Sequence, residues 1–330
     1  MDNKKVSVKD IARLANVSIA TVSRVLNKNG RYSAETEQRV LDIVKQYGYT
    51  PNASAKSLRT NRSQSIGVIV PDITNEFFAK IVRSIENSIL PYNYSVFICD
   101  SHEDARLENQ HLANLIAKNV DGVIYISGKS DVAAQDEEND LPVVYIDRMP
   151  EHAYATVQSD NEYGGYLATE ELLRKGCKRI VLLSDMRPLS SVSQRTMGYI
   201  KAHEKYGVTV INDLKADGGA SYHIAKQKTA ELVEKGVTFD GIFATNDMMA
   251  LGALHALLEH KIEVPGQVKL VGFDDISLSG FCEVPITTIT QNTERIGERA
   301  VKVLMKLMLG EANDAQHYVV PVSLNVRKST

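Results

Sequence analysis

Val8-Lys9-Asp10-Ile11-Ala12-Arg13-Leu14-Ala15-Asn16-Val17-Ser18-Ile19-Ala20-Thr21-Val22-Ser23-Arg24-Val25-Leu26-Asn27 is the stretch on which the reading of this chain turns. Ser7 is placed to cap a short helix beginning at Val8, and Asp10, three residues on, completes an S-x-x-D capping box. Asn16-Val17 breaks the pattern, and Ser18 can cap a second helix running through Asn27. Ile11, Leu14, Ala15, Val17, Val22, Val25 and Leu26 supply a small core, and Ala12 and Ala15 let the two helices approach closely. A third helix from Ser33 to Tyr47 sets Val40, Leu41, Val44 and Tyr47 on one side, with acids in its first turn and Gly48 past its end. Helix, tight turn, helix and third helix within about fifty residues is the helix-turn-helix layout.

The charge distribution agrees. Residues 1–62 carry twelve Lys/Arg against five Asp/Glu, a balance of +7, so the remainder of a chain of net charge −3 stands at −10. A basic head on an acidic body suits a protein that places one end on a polyanion. The length of 330 residues implies two or three compact units, and 43% hydrophobic residues excludes wholesale disorder. The three cysteines, Cys99, Cys177 and Cys282, are far apart and in no metal-ligand spacing, which fits a reducing compartment. The start of the chain reads as no signal peptide, and no uncharged run is long enough to span a bilayer. A cytoplasmic protein is expected.

Val8 to Asn27, with Tyr49-Thr50-Pro51-Asn52-Ala53-Ser54-Ala55-Lys56-Ser57-Leu58-Arg59 after it, resembles the head and hinge of the lactose/galactose repressor family. The resemblance implies that Ile19, Ala20 and Arg24 sit at base-reading positions of the second helix. Arg24 can contact guanine in bidentate fashion, whereas Ile19 and Ala20 offer only apolar contact, for instance to a thymine methyl. Ser18, Thr21 and Asn27 suit phosphate, which positions without specifying. The resemblance further implies that residues 50–63 form a hinge helix on DNA, pairing with its twin in a homodimer and wedging Leu58 into the minor groove.

From Ser65 onward short apolar runs (Ser65–Val70, Tyr94–Cys99, Gly122–Ile126, Val143–Ile146, Arg179–Leu183, Gly241–Ala244 and Val268–Val271) alternate with amphipathic stretches near 76–90, 104–118, 161–175, 193–206, 220–235 and 246–260. Buried strands alternating with helices predict doubly wound parallel α/β sheets, and about a dozen strands predict two lobes. Ala244–Gly252, Val271–Asp275 and Thr287–Gln291 extend the resemblance to that family's periplasmic-binding-protein-like body. The expected division is a head over 1–49, a hinge over 50–63, a first lobe over 64–160 and 292–318, and a second lobe over 161–291 and 319–330, with three crossings between lobes.

Ligands of open α/β sheets bind beyond the carboxyl ends of strands. Polar and aromatic residues fall at those ends, and together they resemble the sugar-contacting set of ribose-type repressors. The resemblance assigns Phe77, Phe78 and Tyr222 to the faces of a sugar, and Asn75, Asp147, Arg148, Arg195, Asn246, Asp274 and Gln291 to its hydroxyls. The chemistry agrees: aromatic rings cover C–H faces, and hydroxyls need donors and acceptors, the charged ones making the stronger bonds. Asp147 and Asp274 offset Arg148 and Arg195, which predicts an uncharged ligand.

Enzymatic signals are weak. Gly122-Val-Ile-Tyr-Ile-Ser-Gly128-Lys129-Ser130 ends like a phosphate loop, but its first glycine is one residue too far back and its middle is a strand. No nucleophile elbow, zinc-protease motif or dinucleotide fingerprint occurs, and neither metal nor cofactor is implied. The expectation is a homodimeric repressor of sugar-utilisation genes that binds a pseudo-palindromic double-stranded operator and is released by a neutral monosaccharide, ribose first and fructose second. Corepression by the sugar is the alternative sign, and a phosphorylated carrier protein the alternative effector. No leucine heptads trail Leu324–Thr330, so no four-chain assembly through such a tail is expected.

Overall fold

The structure, a computed structural model, describes residues 6–49, 62–126, 141–147, 154–187, 189–311 and 316–330. Leu58, with most of the expected hinge, and Arg148 lie outside the described residues. The chain divides into two units, Met1–Ser63 and Gln64–Thr330.

In the first unit α1 (Val8–Leu14), α2 (Ile19–Leu26) and α3 (Ala34–Gln46) surround Ile11, Ala12, Ala15, Val22, Val25 and Val40. Each helix starts on a serine cap: Ser7 with the reciprocal Asp10 bond, Ser18 accepting from Thr21 N, and Ser33 accepting from Thr36 N. Asn16 makes the turn between α1 and α2 at φ 51°, a left-handed conformation that asparagine tolerates. Leu14, Leu41 and Tyr47, expected inside, are 43%, 41% and 44% exposed. The inward stripe of α3 is instead Val40 with the half-buried Ile43 and Val44, the three- and four-residue spacing of one helix face.

The second unit holds two six-stranded sheets. The first contains β1 (Ser65–Val70), β2 (Ser95–Asp100), β3 (Gly122–Ile126), β4 (Val143–Ile146), β5 (Ala155–Ser159) and β11 (Gln316–Val320), in the spatial order β11-β5-β4-β3-β1-β2 and parallel throughout. The second contains β6 (Ile180–Ser184), β7 (Lys215–Asp217), β8 (Gly241–Ala244), β9 (Lys269–Asp274), β10 (Thr287–Gln291) and β12 (Val322–Asn325). Its order is β12-β10-β9-β8-β6-β7, with only β12 antiparallel. The central strands are apolar along their whole length because helices cover both faces, as in β1 (Ser-Ile-Gly-Val-Ile-Val), where every residue is buried.

Helices α4 (Glu76–Ile89), α5 (Ala105–Ala117) and α11 (Thr293–Met308) serve the first sheet. Serving the second are α6 (Asn161–Arg174), α7 (Ser190–Tyr206), α8 (Tyr222–Glu234), α9 (Asp247–Glu259) and the short α10 (Ser277–Phe281). The sheet memberships carry the chain between lobes after β5, β10 and β11. Because β11 runs to Val320, the last crossing falls two residues past the 318 expected. Among the described residues no helix is long and apolar enough to cross a membrane.

Two glycines fix one crossing closely. A Cβ on Gly165 of α6 would lie 2.1 Å from the carbonyl oxygen of Arg195, and one on Gly198 of α7 would lie 2.0 Å from that of Glu162. The helices therefore touch backbone to backbone. Gly165→Ala and Gly198→Ala should each lower the unfolding free energy by about 1–3 kcal/mol through overpacking, read as an earlier midpoint in urea. An unchanged midpoint for both would contradict the close crossing.

Candidate functional site

Four of the six head residues expected to meet DNA share one side of α2, while Ser18 and Thr21 lie outside that arc. At about 100° per residue, Ile19, Ala20, Asn27 and Arg24 span roughly 140° of the helix surface, while the buried Val22 and Val25 point away from it. Ile19 is 45% exposed, and Ala20, Arg24 and Asn27 are exposed with it, so Ile19 is no core residue. The polar members are already engaged locally: Ser18 Oγ caps Thr21 N (3.1 Å) and meets Thr21 Oγ1 (2.9 Å), and Asn27 Nδ2 donates to Ser23 O (2.7 Å).

The second unit has a cleft of about 450 Å³ between its lobes, at the carboxyl ends of β1, β4, β6, β8 and β9. Asn75, Phe77, Phe78, Asp147, Arg195, Asn246 and Asp274 all line it. Asn75 and Asn246 also cap α4 and α9, accepting from Phe77 N (3.0 Å) and Met249 N (2.7 Å) through Oδ1. Capping therefore leaves each Nδ2 to donate. Phe77 and Phe78 stand with ring centroids 5.3 Å apart and form the apolar wall.

Arg195 organises the inner end. It is buried, stacked over the Phe273 ring at 3.8 Å, and donates through Nε to Asn161 Oδ1 (2.8 Å) and through Nη1 to Thr245 O (2.6 Å). Carboxylates from both lobes flank it, Asp147 Oδ1 at 3.8 Å from Nη2 and Asp274 Oδ1 at 3.9 Å from Nη1. Asp147 and Asp274 take φ values of 69° and 120°, where side chains other than glycine are strained, as is common at binding sites. Burial pushes Asp274 well above the usual carboxylate range; Arg195 opposes that rise, and Asp247 and Asp147 add to it.

Two expected contacts fall elsewhere. Tyr222 does not line the cleft. A Cβ on Gly252 would lie 2.3 Å from Tyr222 O, so α8 presses against α9 at that point, and the tyrosine hydroxyl is hydrogen-bonded to His255 Nδ1 (2.5 Å). Gln291 is likewise behind the wall, donating through Nε2 to Asp274 Oδ1 (2.7 Å), so it orients a lining carboxylate.

The sequence reading missed Asp185, Arg187 and Glu103. Arg187 grips Asp185 of its own lobe through Nε (2.9 and 2.7 Å) and through Nη2, and Nη1 reaches Glu103 of the other lobe. Asp185 follows β6 directly, so the strand-end rule that selected Asp147 and Asp274 could have found it. With Asp72, the described lining holds five carboxylates against two guanidinium groups. The balance expected of Asp147 and Asp274 against Arg148 and Arg195 includes Arg148, which lies outside the described residues. Among the described residues no group of three His, Cys, Asp or Glu could hold a metal ion.

Comparison with known proteins finds a match within each of the two units. Residues 7–52 match the family model described as bacterial regulatory proteins, lacI family, and residues 169–330 match the periplasmic binding protein-like domain. The chain is 35% identical to the HTH-type transcriptional regulator RegA of Clostridium saccharobutylicum, across 98% of this chain and 99% of that one. It is 34% identical to the ribose operon repressor of Halalkalibacterium halodurans, across 98% and 97%. The lac repressor dimer bound to operator and the anti-inducer ONPF superposes with a TM-score of 0.91 at 28% identity, covering 99% of each chain.

Asp247, beneath the cleft, offers a test by pH. It is fully buried against Gly272, whose Cβ would lie 2.1 Å from its Oδ1, and it accepts from Thr288 Oγ1 (2.6 Å) and Ile276 N (3.0 Å). Burial pushes its pKa up from 3.8 to about 6, those hydrogen bonds offsetting part of the rise. The folded chain then holds the proton more tightly than the unfolded one, so this group's contribution is full below pH 3.8 and lost as pH rises through about 6. The loss is worth about 3 kcal/mol. Asp247→Asn should flatten the fall in unfolding free energy between about pH 4 and about pH 7 by that order; equal slopes in variant and parent would contradict the assignment.

Proposed function

The chain belongs to the lacI family of bacterial regulatory proteins, and on that premise we propose that it is a homodimeric repressor whose operator a neutral sugar vacates. The relatives compared above are transcriptional regulators, not enzymes. The observation that carries the sugar reading is the inner end of the cleft. Charged donors and acceptors converge there beside the Phe77–Phe78 wall. Ribose is the first sugar to test, in keeping with the resemblance of the lining to ribose-type repressors, and fructose is the second.

In this reading the paired heads set the exposed face of α2 against the two halves of a pseudo-palindrome, operator symmetry mirroring that of the dimer. Arg24 reads a base edge, and Leu58 wedges the minor groove. Sugar and DNA favour different states of the dimer, so each weakens the other by the same factor.

The test begins with selection of an operator from random duplex DNA by the full-length protein, followed by fluorescence anisotropy with added sugar. Arg24→Ala should cost about 1–3 kcal/mol at one base position of each half-site and relax preference there. Ribose or fructose should lower operator affinity, and Asp274→Ala should abolish that response. Tighter operator binding with sugar would make it a corepressor; release by a phosphorylated sugar alone would overturn the neutral ligand.

A further inference from the structure

The turn that closes α2 folds back against the side chain assigned to base reading. Asn27 caps the helix, and Lys28 follows in the left-handed region at φ 49°. Asn29 N then donates to Arg24 O (3.0 Å) and Lys28 N to Val25 O (3.2 Å), the paired bonds of a Schellman closure. The outer of those bonds ends on Arg24 itself, so the next residue, Gly30, returns beside it.

Gly30 stands at φ 87°, and the Arg24 stem takes the space where its side chain would begin. A Cβ there would lie 3.2 Å from Arg24 Cδ, 3.4 Å from Cγ and 3.5 Å from Nε. The arginine therefore runs across bare backbone. It is exposed, and among the described residues its guanidinium has no hydrogen-bond or ion-pair partner.

A planar guanidinium fork matches a guanine edge in one plane, so the direction from which the stem arrives matters. An arginine stem free in water samples many rotamers. Packing along Gly30 restricts that choice before DNA arrives, and such preorganisation lessens the freedom lost on binding. A methyl group at position 30 would meet only atoms of a flexible side chain. The contact would be relieved by moving the arginine, and the head would stay folded.

We propose that Gly30 is a specificity-determining positioning residue of the DNA-binding head, its missing side chain setting the path by which Arg24 reaches a base edge. The inference rests on the base-reading role proposed above for Arg24 and deepens it. Gly48 separates this role from a turn that only needs left-handed backbone. It follows α3 at φ 58°, and among the described residues no atom lies within 4 Å of where its Cβ would be. Gly30→Ala and Gly48→Ala thus impose like backbone strain in the same unit, and only the first meets Arg24.

Fluorescence anisotropy of the full-length protein on the selected operator, and on duplexes carrying each single base change, tests it. Arg24→Ala identifies the position that Arg24 reads. Gly30→Ala should lower discrimination at that position about fivefold or more and leave the other positions as in the parent. Placed on Arg24→Ala, it should change discrimination there no further. Gly48→Ala should lower the urea midpoint and leave every base preference unchanged. Asparagine tolerates left-handed backbone yet still carries a Cβ, so Gly30→Asn gives the same readout if the alanine variant fails to fold. A Gly30 variant that keeps full preference at that position, or that weakens all duplexes equally, would overturn the inference and leave Arg24 as the base reader. So would an equal loss of that preference in Gly48→Ala. An Arg24→Ala variant with every preference intact would overturn both the role of Arg24 and the inference.

Discussion

A guanidinium group without water around it must be surrounded by partners, and the neighbourhood of Arg195 is built to that requirement. Its guanidinium plane rests on the Phe273 ring, two of its nitrogens donate to Asn161 and Thr245, and Asp147 and Asp274 flank it. Neither acid touches it at hydrogen-bonding distance. Burying charges is repaid only where such partners are complete, which links the placement of several elements to one side chain. The glycine crossing of α6 and α7 sets Asn161 and Arg195 at a fixed spacing, and the left-handed backbone at the ends of β4 and β9 turns the two carboxylates inward. Asp147 belongs to the first lobe and Arg195 to the second, so the same cluster joins the lobes.

That arrangement leaves the cleft sensitive to what enters it. The described lining offers hydroxyls both donors and acceptors, Asn75, Asn246 and Arg195 standing beside Asp147 and Asp274. The second bridge between lobes, Arg187 to Glu103, lies nearer the mouth, where its groups are still partly solvated. A ligand that engages both clusters gains contacts on two lobes at once, and a ligand can shift a lobe equilibrium only by such differential contact.

Much of this was legible in the sequence because it depends on local pattern. Serine caps and the spacing of Ile11, Val22 and Val25 specify the head, and uninterrupted apolar runs such as Ile180–Ser184 specify buried parallel strands. Asp147 and Asp274 were found because strand ends are where polar residues at such sheets collect. The errors arose where tertiary contact decides. Nothing local to Tyr222 shows that Gly252 lets α8 settle against α9 and brings His255 to its hydroxyl. Leu41 and Tyr47 fit a helical spacing, yet a head this small has core enough for one narrow stripe of α3. The Arg187 bridge joins residues 84 positions apart, which no spacing rule reaches.

The most direct test of the account is a double-mutant cycle on Arg195 and Asp274, measured as unfolding free energy in urea near neutral pH. Arg195→Ala should cost about 3–5 kcal/mol, because it strands buried carboxylates. Adding Asp274→Asn should restore part of that loss, giving a coupling of about 1 kcal/mol or more between the two sites. Costs that simply add would mean that Arg195 is held by packing and by its bonds to Asn161 and Thr245, and that its charge is not what organises the cleft.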